Sequence, residues 1–292
     1  MKTIRKTSIA LAATAIIFTT ATSHAQTAYA LGNNGTTLIK FDLSTPGITT
    51  AVGGFDGAAT RLDGIDFRPA DGLLYGYSQQ DNRVVSINLN NALTTLVSTP
   101  LIASTTRDLG IDFNPVADRL RVVNSDDQNL RINISTGVVV NDTGFSIASF
   151  INEAAYTNSD TNPGTGTQIY YIDYGSDTLL TSILPNTGPF TTVGALGVDT
   201  SNLTGFDILS NGLGTQNDAY AILTASSGIA SLYRVNLNTG AASSVGVVSQ
   251  VAASRPYSLA IQPVPEPGTA LFGLALLGAS LSRARRKSVR RA

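Results

Sequence analysis

GIDFRPADGLLYGYSQQDNRVVSINLNNALTTLV, residues 64–97, is the stretch whose reading decides the fold. A second copy, GIDFNPVADRLRVVNSDDQNLRINISTGVVV, begins 46 residues later at Gly110. The pieces align in order. A short apolar segment ends in Asp-Phe-x-Pro, a turn carrying Asp follows, and then come a second apolar run, an Asp/Asn-rich loop, an alternating third run, a turn and a fourth run. A repeat of roughly 40–50 residues with four strand-like pieces reads as one blade of a β-propeller.

Working outward from these copies, the same unit recurs along the body. The strand-like pieces of the second unit fall at 64–67, 73–77, 83–89 and 93–97, and those of the third at 109–113, 119–123, 129–134 and 137–141. A more diverged fourth unit supplies 151–157, 168–173, 178–184 and 190–194, and a fifth 203–208, 218–223, 231–237 and 242–247. The first unit has pieces only at 28–31, 37–43 and 48–53, with no GIDF-like segment in front. The missing piece stands at the far end, where YSLAIQP (257–263) aligns with GIDFRP. A last strand that completes the first blade leaves no sheet edge unpaired. The expectation is an all-β ring of five four-stranded blades over 26–263. Six blades and an open solenoid are the alternatives, and the solenoid predicts no closing strand.

Within a blade, 85–89 alternates Val, Ser, Ile, Asn, Leu, as a strand with one buried and one polar face should. The runs at 133–137, 184–188 and 236–240 end in Thr-Gly and predict hairpin turns. The tyrosines Tyr75, Tyr77, Tyr156, Tyr170 and Tyr171 are expected to pack rather than to form a platform for sugar rings.

The chain has no cysteine and no tryptophan. Its single histidine, His24, and its single methionine, Met1, both lie in the first 25 residues. A body without Cys, His or Met excludes disulfides, most zinc, copper and haem chemistry, and histidine-based triads. Any metal would be a hard cation on oxygen ligands. The near-zero formal charge hides a polarity: residues 26–267 hold ten Lys and Arg against twenty Asp and Glu, about −10, and the remaining basic residues cluster at the two ends. An acidic body argues against nucleic acid as a partner and fits solubility outside the cell.

The ends read as addresses. Lys2, Arg5 and Lys6 precede an apolar stretch over 8–22 and the small-x-small run Ser23-His24-Ala25. That is the pattern of an export signal over 1–25, a helix cleaved between Ala25 and Gln26. At the other end Pro265-Glu266-Pro267 is followed by an apolar helical segment over 269–282 and by six basic residues. The apolar run is short for a stable span, and its basic flank stays cytoplasmic. Motif, short hydrophobic helix and terminal arginines together resemble the PEP-CTERM sorting signal of Gram-negative bacteria. The resemblance implies that residues 264–292 are a sorting tail, recognised through Pro265, Glu266 and Pro267 by the membrane enzyme exosortase. It further implies delivery to the cell surface or an exopolysaccharide matrix, after transient anchoring by the tail. The body, at 64–74, 110–123 and 154–158, is similar to a family of exported bacterial proteins known only as a domain of unknown function. That likeness brings no activity with it.

Candidate functional residues follow from blade topology. With the GIDF-like strand innermost, the loops before it and the loops between second and third strands share one face. Arg61, Arg107 and Arg255 each precede an innermost strand, with Asp63, Asp108 and Glu153 beside such positions. The second-to-third loops add Asp81, Asp126 and Asp127. The functional reading is an Arg- and Asp-lined mouth on the axis. Arginine forks suit carboxylates, and Asp and Asn oxygens suit calcium. The bland reading is that Arg and Asp pair between blades and that Asp and Asn make turns. The loop 124–129 is a weak calcium candidate, because it lacks the spacing and closing Glu of an EF-hand. Glu153 with Asp108 or Asp63 is a candidate carboxylate pair. No catalytic motif stands out and no cofactor is expected, calcium apart. The leading expectation is a non-enzymatic binding or structural role with exopolysaccharide. The alternatives are an extracellular hydrolase or lyase on polysaccharide or a lactone, and a plain architectural spacer.

Overall fold

The computed structural model describes residues 26–145, 150–160, 162–210, 216–248 and 256–263. The export signal, the sorting tail and Arg255 lie outside these residues. Among the described residues no helix is long and apolar enough to cross a membrane.

Three strands, β1 (Thr27–Gly32), β2 (Thr37–Asp42) and β3 (Thr49–Gly54), open the body. The two-residue β4 (Asp56–Gly57) follows. Then β5 (Gly64–Phe67), β6 (Leu74–Ser78), β7 (Arg83–Ile87) and β8 (Leu93–Ser98) form the second blade. The third blade is β9 (Leu109–Asn114), β10 (Arg119–Asn124), β11 (Asn129–Ile132) and β12 (Val139–Asn141). The fourth is β13 (Ile151–Tyr156), β14 (Ile169–Asp173), β15 (Thr178–Ser182) and β16 (Thr191–Ala195), and the fifth β17 (Thr204–Ser210), β18 (Asn217–Thr224), β19 (Ala230–Val235) and β20 (Ala242–Val247). The last strand, β21 (Tyr257–Ile261), pairs antiparallel with β1 and completes the first blade. The ring therefore has five blades, not six, and closes where the YSLAIQP match places the seam. The one addition is β4, which pairs in parallel with β8 and adds a fifth, two-residue strand to the second blade.

The five innermost strands, β5, β9, β13, β17 and β21, stand side by side around the axis. The apolar core is divided accordingly into wedges between adjacent blades. One cluster joins Leu31, Leu38 and Ala260 of blade 1 to Ile65, Phe67 and Val85 of blade 2. A second joins Tyr75, Tyr77 and Val84 to Ile111, Phe113 and Leu120. Three more fill the remaining interfaces. The expected packing role of the tyrosines holds, since Tyr75, Tyr77, Tyr156, Tyr170 and Tyr171 are all buried. The GIDF segment begins at Gly64 and Gly110, and the residues aligned with that first position are Glu153, Gly205 and Ser258. Counted from there, the second-strand residue paired with the third position is Tyr29, Tyr75, Tyr170 or Tyr220 in four of the blades. Each packs toward the next blade. Tyr29 meets Phe67 at 5.7 Å between ring centres and Tyr75 meets Phe113 at 5.3 Å, both edge-on. That contact is why the GIDF segment ends in Phe. In the third blade the position is Arg121, only 1% exposed, whose Nε donates to the Tyr156 hydroxyl at 2.7 Å.

A second layer of contacts stitches the ring at the axis, where the carboxylate or hydroxyl of one innermost strand accepts a backbone N–H of the next. Asp66 accepts from Phe113 at 2.7 Å, Asp207 from Ile261 at 2.6 Å and Ser258 from Ile65 at 3.1 Å. Asp112 receives the N–H of Tyr156 and Glu153 that of Phe206. Every blade interface thus carries one such latch. An unlatched N–H buried at these positions would cost about 1–3 kcal/mol.

Candidate functional site

The mouth of the ring is built by the loops that precede β5, β9 and β17, by the start of β13 and by the turn after β1. Arg61 and Arg107 come from neighbouring loops and converge on Asp63. Nε of Arg107 donates to Asp63 Oδ1 at 2.8 Å, and Nη2 of Arg61 lies 3.7 Å from the same oxygen. Both guanidinium groups also reach Asn34 Oδ1, each at 3.5 Å. Asn34 holds a left-handed backbone (φ 56°) that turns its side chain inward over the mouth. The second oxygen of Asp63 accepts the Gln79 N–H at 2.9 Å. Burial raises the Asp63 carboxyl above the usual range, against the lowering effects of the Gln79 N–H and the Arg61 charge.

Beside this cluster opens a recess of about 180 Å³, lined by Asn34, Arg107, Asp108, Asn152, Glu153 and Tyr257 among others. Asp108 is held by Asn152 Nδ2 and by the Tyr174 hydroxyl, each donating at 2.8 Å. Asn152 is itself fixed by Thr204 Oγ1 at 2.9 Å and donates to Asn202 O at 2.8 Å. Glu153, 3% exposed, lies inside β13 at the floor of the recess. Desolvation, reinforced by the Asp108 charge, raises its carboxyl well above the ordinary glutamate range.

Of the predicted mouth residues, the fold brings Arg61, Asp63, Arg107, Asp108 and Glu153 together. Asp81 stands near Asp63, exposed and hydrogen-bonded to Ser78 at 3.1 Å. Asp126 and Asp127 are exposed at the tip of the β10–β11 loop and do not line the recess. There the Asn124 side chain accepts from the Asp126 and Gln128 N–H groups, which accounts for the loop as a turn. Asn152, beside the same strand entry as Glu153, joins the mouth residues, while Asn34 and Tyr257 contribute to the mouth through folding alone.

One group of residues escaped the sequence reading. Asp66, Asp112 and Asp207 occupy the third position of the Gly-x-Asp segments in β5, β9 and β17 and point to the axis, where one oxygen of each lies within 4.8 Å of the others. All three are buried. Desolvation, and then their mutual repulsion, drives the carboxyls of Asp66 and Asp112 well above the usual range, and desolvation raises that of Asp207. The signal was present in the Gly-x-Asp repeat of these strands, but an Asp inside an apolar segment reads as the end of that segment.

An acidic body without histidine, closed into five blades, with a polar mouth on its axis and a Pro-Glu-Pro tail, defines an exported β-propeller. The chain belongs to the family described as a domain of unknown function (DUF4394), which it matches over residues 17–255. Its tail matches the PEP-CTERM protein-sorting motif over residues 263–287. This motif is the exosortase recognition signal, so the protein is exported, held transiently at the membrane by its tail, and processed by exosortase. No curated protein matches the chain in sequence. Among solved structures, a chain from the nidogen/laminin complex is similar with a TM-score of 0.53 and 12% identity, over 82% of this chain and 99% of that one. A structural genomics protein of unknown function from Bacteroides thetaiotaomicron gives 0.46 at 12% identity, over 79% and 56% of the two chains. At this identity the likeness to the nidogen/laminin chain speaks for the fold alone.

Proposed function

We propose that the protein is a non-catalytic binding module of the cell surface or extracellular matrix, which holds exopolysaccharide at the mouth of its ring. The observation that carries this reading is the convergence of Arg61 and Arg107 beside a 180 Å³ recess. Arg107 is 37% exposed, so its fork remains within reach of a sugar carboxylate or hydroxyl. Nε of Arg61 is buried without a partner. The carboxylates around the recess are already engaged: Asp63 by the arginines, Asp108 by Asn152 and Tyr174, Glu153 by the Phe206 N–H. Groups so held suit recognition better than proton shuttling.

One feature favours hydrolysis as a second reading. Glu153 is a buried acid beside the Asp108 charge, the setting in which a carboxyl serves as a general acid near neutral pH. The two readings separate in one experiment. The exported protein is passed over exopolysaccharide from the producing organism, with Arg61→Ala/Arg107→Ala alongside, and the polymer is sized afterwards. Retention that falls about ten-fold or more in the double variant, with the polymer intact, is the result expected. Shortened polymer, lost in Glu153→Gln, would establish the hydrolase. Equal retention of both proteins with intact polymer would sink the mouth as a binding site.

A further inference from the structure

We infer that the propeller axis is a calcium site, with Asp66, Asp112 and Asp207 as its protein ligands. Counted from the Gly of Gly-x-Asp, the third position of the innermost strands faces the axis. Three strands place Asp there and the other two place Ala155 and Ala260, both fully buried. This level of the axis is therefore lined by three carboxylates and two methyl groups. One oxygen of each carboxylate lies within 4.8 Å of the others. Three oxygens spread evenly about one calcium ion at 2.3–2.6 Å stand about 4.0–4.5 Å apart, so small turns of the side chains close the cluster on a single ion. Magnesium, at 2.0–2.1 Å, would draw them in to about 3.5–3.6 Å.

A second observation is independent of the clustering. Oδ1 of Asp112 is fully buried without any hydrogen-bond partner. A buried carboxylate oxygen with no donor is costly unless a cation or a proton meets it. Arg121 stands across from Asp112 in the β9–β10 ladder, but its guanidinium is spent on Tyr156, Asn129, Asp142 and Asn186. The groups acting on these three carboxyls are other carboxylates and backbone N–H donors, with no arginine among them. The N–H groups of Phe113 and Ile261 bind Asp66 and Asp207 as acceptors and so hold them in place as ligands. A calcium ion needs six to eight oxygens, and water supplies those beyond the carboxylates. The acidic body draws cations toward the protein. This site is distinct from the exposed loop 124–129, and it stands whether or not the mouth binds sugar.

The test uses the exported protein stripped with EDTA. Calorimetric titration with calcium chloride should give one ion per chain, and saturating calcium should raise Tm by about 5 °C or more. Magnesium chloride should bind at least about ten-fold more weakly. Asp112→Asn keeps the size of the side chain and an acceptor for the Tyr156 N–H, and should weaken calcium at least about ten-fold. Should that variant fail to fold, Asp66→Asn makes the same comparison, because Asn retains an acceptor for Phe113. Arg61→Ala/Arg107→Ala should bind calcium like the parent. Absence of calcium binding, with Tm unchanged, would overturn the inference and leave the three carboxyls to share protons. Undiminished calcium binding in the Asp→Asn variants would overturn it equally, by moving the ion elsewhere.

Discussion

Three of the five innermost strands, β5, β9 and β17, read Gly-x-Asp, while the other two, β13 and β21, read Glu-Ala-Ala and Ser-Leu-Ala at the same positions. Both kinds do the same work. In the first, Asp at the third position accepts the N–H of the fourth residue of the next strand. In the second, Glu153 or Ser258 at the first position accepts the N–H of the second residue instead. The glycines are the other half of this exchange. A Cβ on Gly110 would lie 2.7 Å from the Cα of Glu153, and one on Gly205 2.7 Å from the carbonyl carbon of Ser258. At Gly64, which faces another Gly-x-Asp strand, the nearest atoms are side-chain carbons of Ile111 at 3.0 and 3.1 Å. What the ring requires is one acceptor per interface and room for it, rather than a particular residue. The two diverged strands keep that rule with different letters.

The two kinds of strand differ most at the glycines. Gly110→Ala drives a methyl into backbone and should lower stability by about 3 kcal/mol, while Gly64→Ala, which meets a side chain that can turn, should cost about 1 kcal/mol. Urea midpoints of the two variants measure this. Equal losses would mean that Gly110 is not there to admit Glu153. Next in size is the latch itself. Ser258→Ala leaves the buried Ile65 N–H without its acceptor and should cost about 1–2 kcal/mol, with the slope of the urea transition unchanged.

Glu153 sharpens the contrast through pH. Its folded carboxyl titrates well above the unfolded value of about 4.3. The folded state thus binds the proton more tightly, and the contribution is fully present below pH 4.3 and lost as pH rises through the folded value. Glu153→Gln keeps an acceptor for Phe206 and removes the titration. Stability measured in EDTA should fall less steeply with rising pH in the variant than in the parent. Parallel curves would show that Glu153 stays ionised in the fold.

The ring was legible in the sequence because its signals are local: GIDF twice, Thr-Gly turns, and a stray YSLAIQP at the end. The sorting tail was legible for the same reason. The mouth was half legible. Arg61 and Arg107 could be placed on one face by counting strands, but their meeting on Asp63 and Asn34 joins residues 27 and 73 positions apart. The axial carboxylates were not read at all. Whether an Asp in an apolar strand faces water or the centre of a ring depends on four other strands, and no window along the chain contains them. Arg121 hid likewise. It replaces a tyrosine in an inter-blade stack, a substitution visible only once Tyr29, Tyr75, Tyr170 and Tyr220 are known to be equivalent.

The smallest expected effect lies at the other end of the same blade interface that Asp66 latches. Arg68, after β5, makes a two-pronged contact with Asp118, after β9, at 2.7 and 2.5 Å, and also reaches Asp71 at 2.7 Å. The hydrogen bonds from Arg68 hold the Asp118 carboxyl below its usual range. A depressed carboxyl contributes stability above its unfolded value of about 3.9, and that stability is lost as pH falls through the folded value. Asp118 is 41% exposed, so water screens the pair and Asp118→Asn should cost under about 1 kcal/mol at neutral pH, less in high salt. At the axis the Ile65 N–H is buried, and a single bond to it should matter more than this doubly bonded ion pair at the surface. A larger loss for Asp118→Asn than for Ser258→Ala would reverse that order, and would move the closure of the ring from its axis to its outer turns.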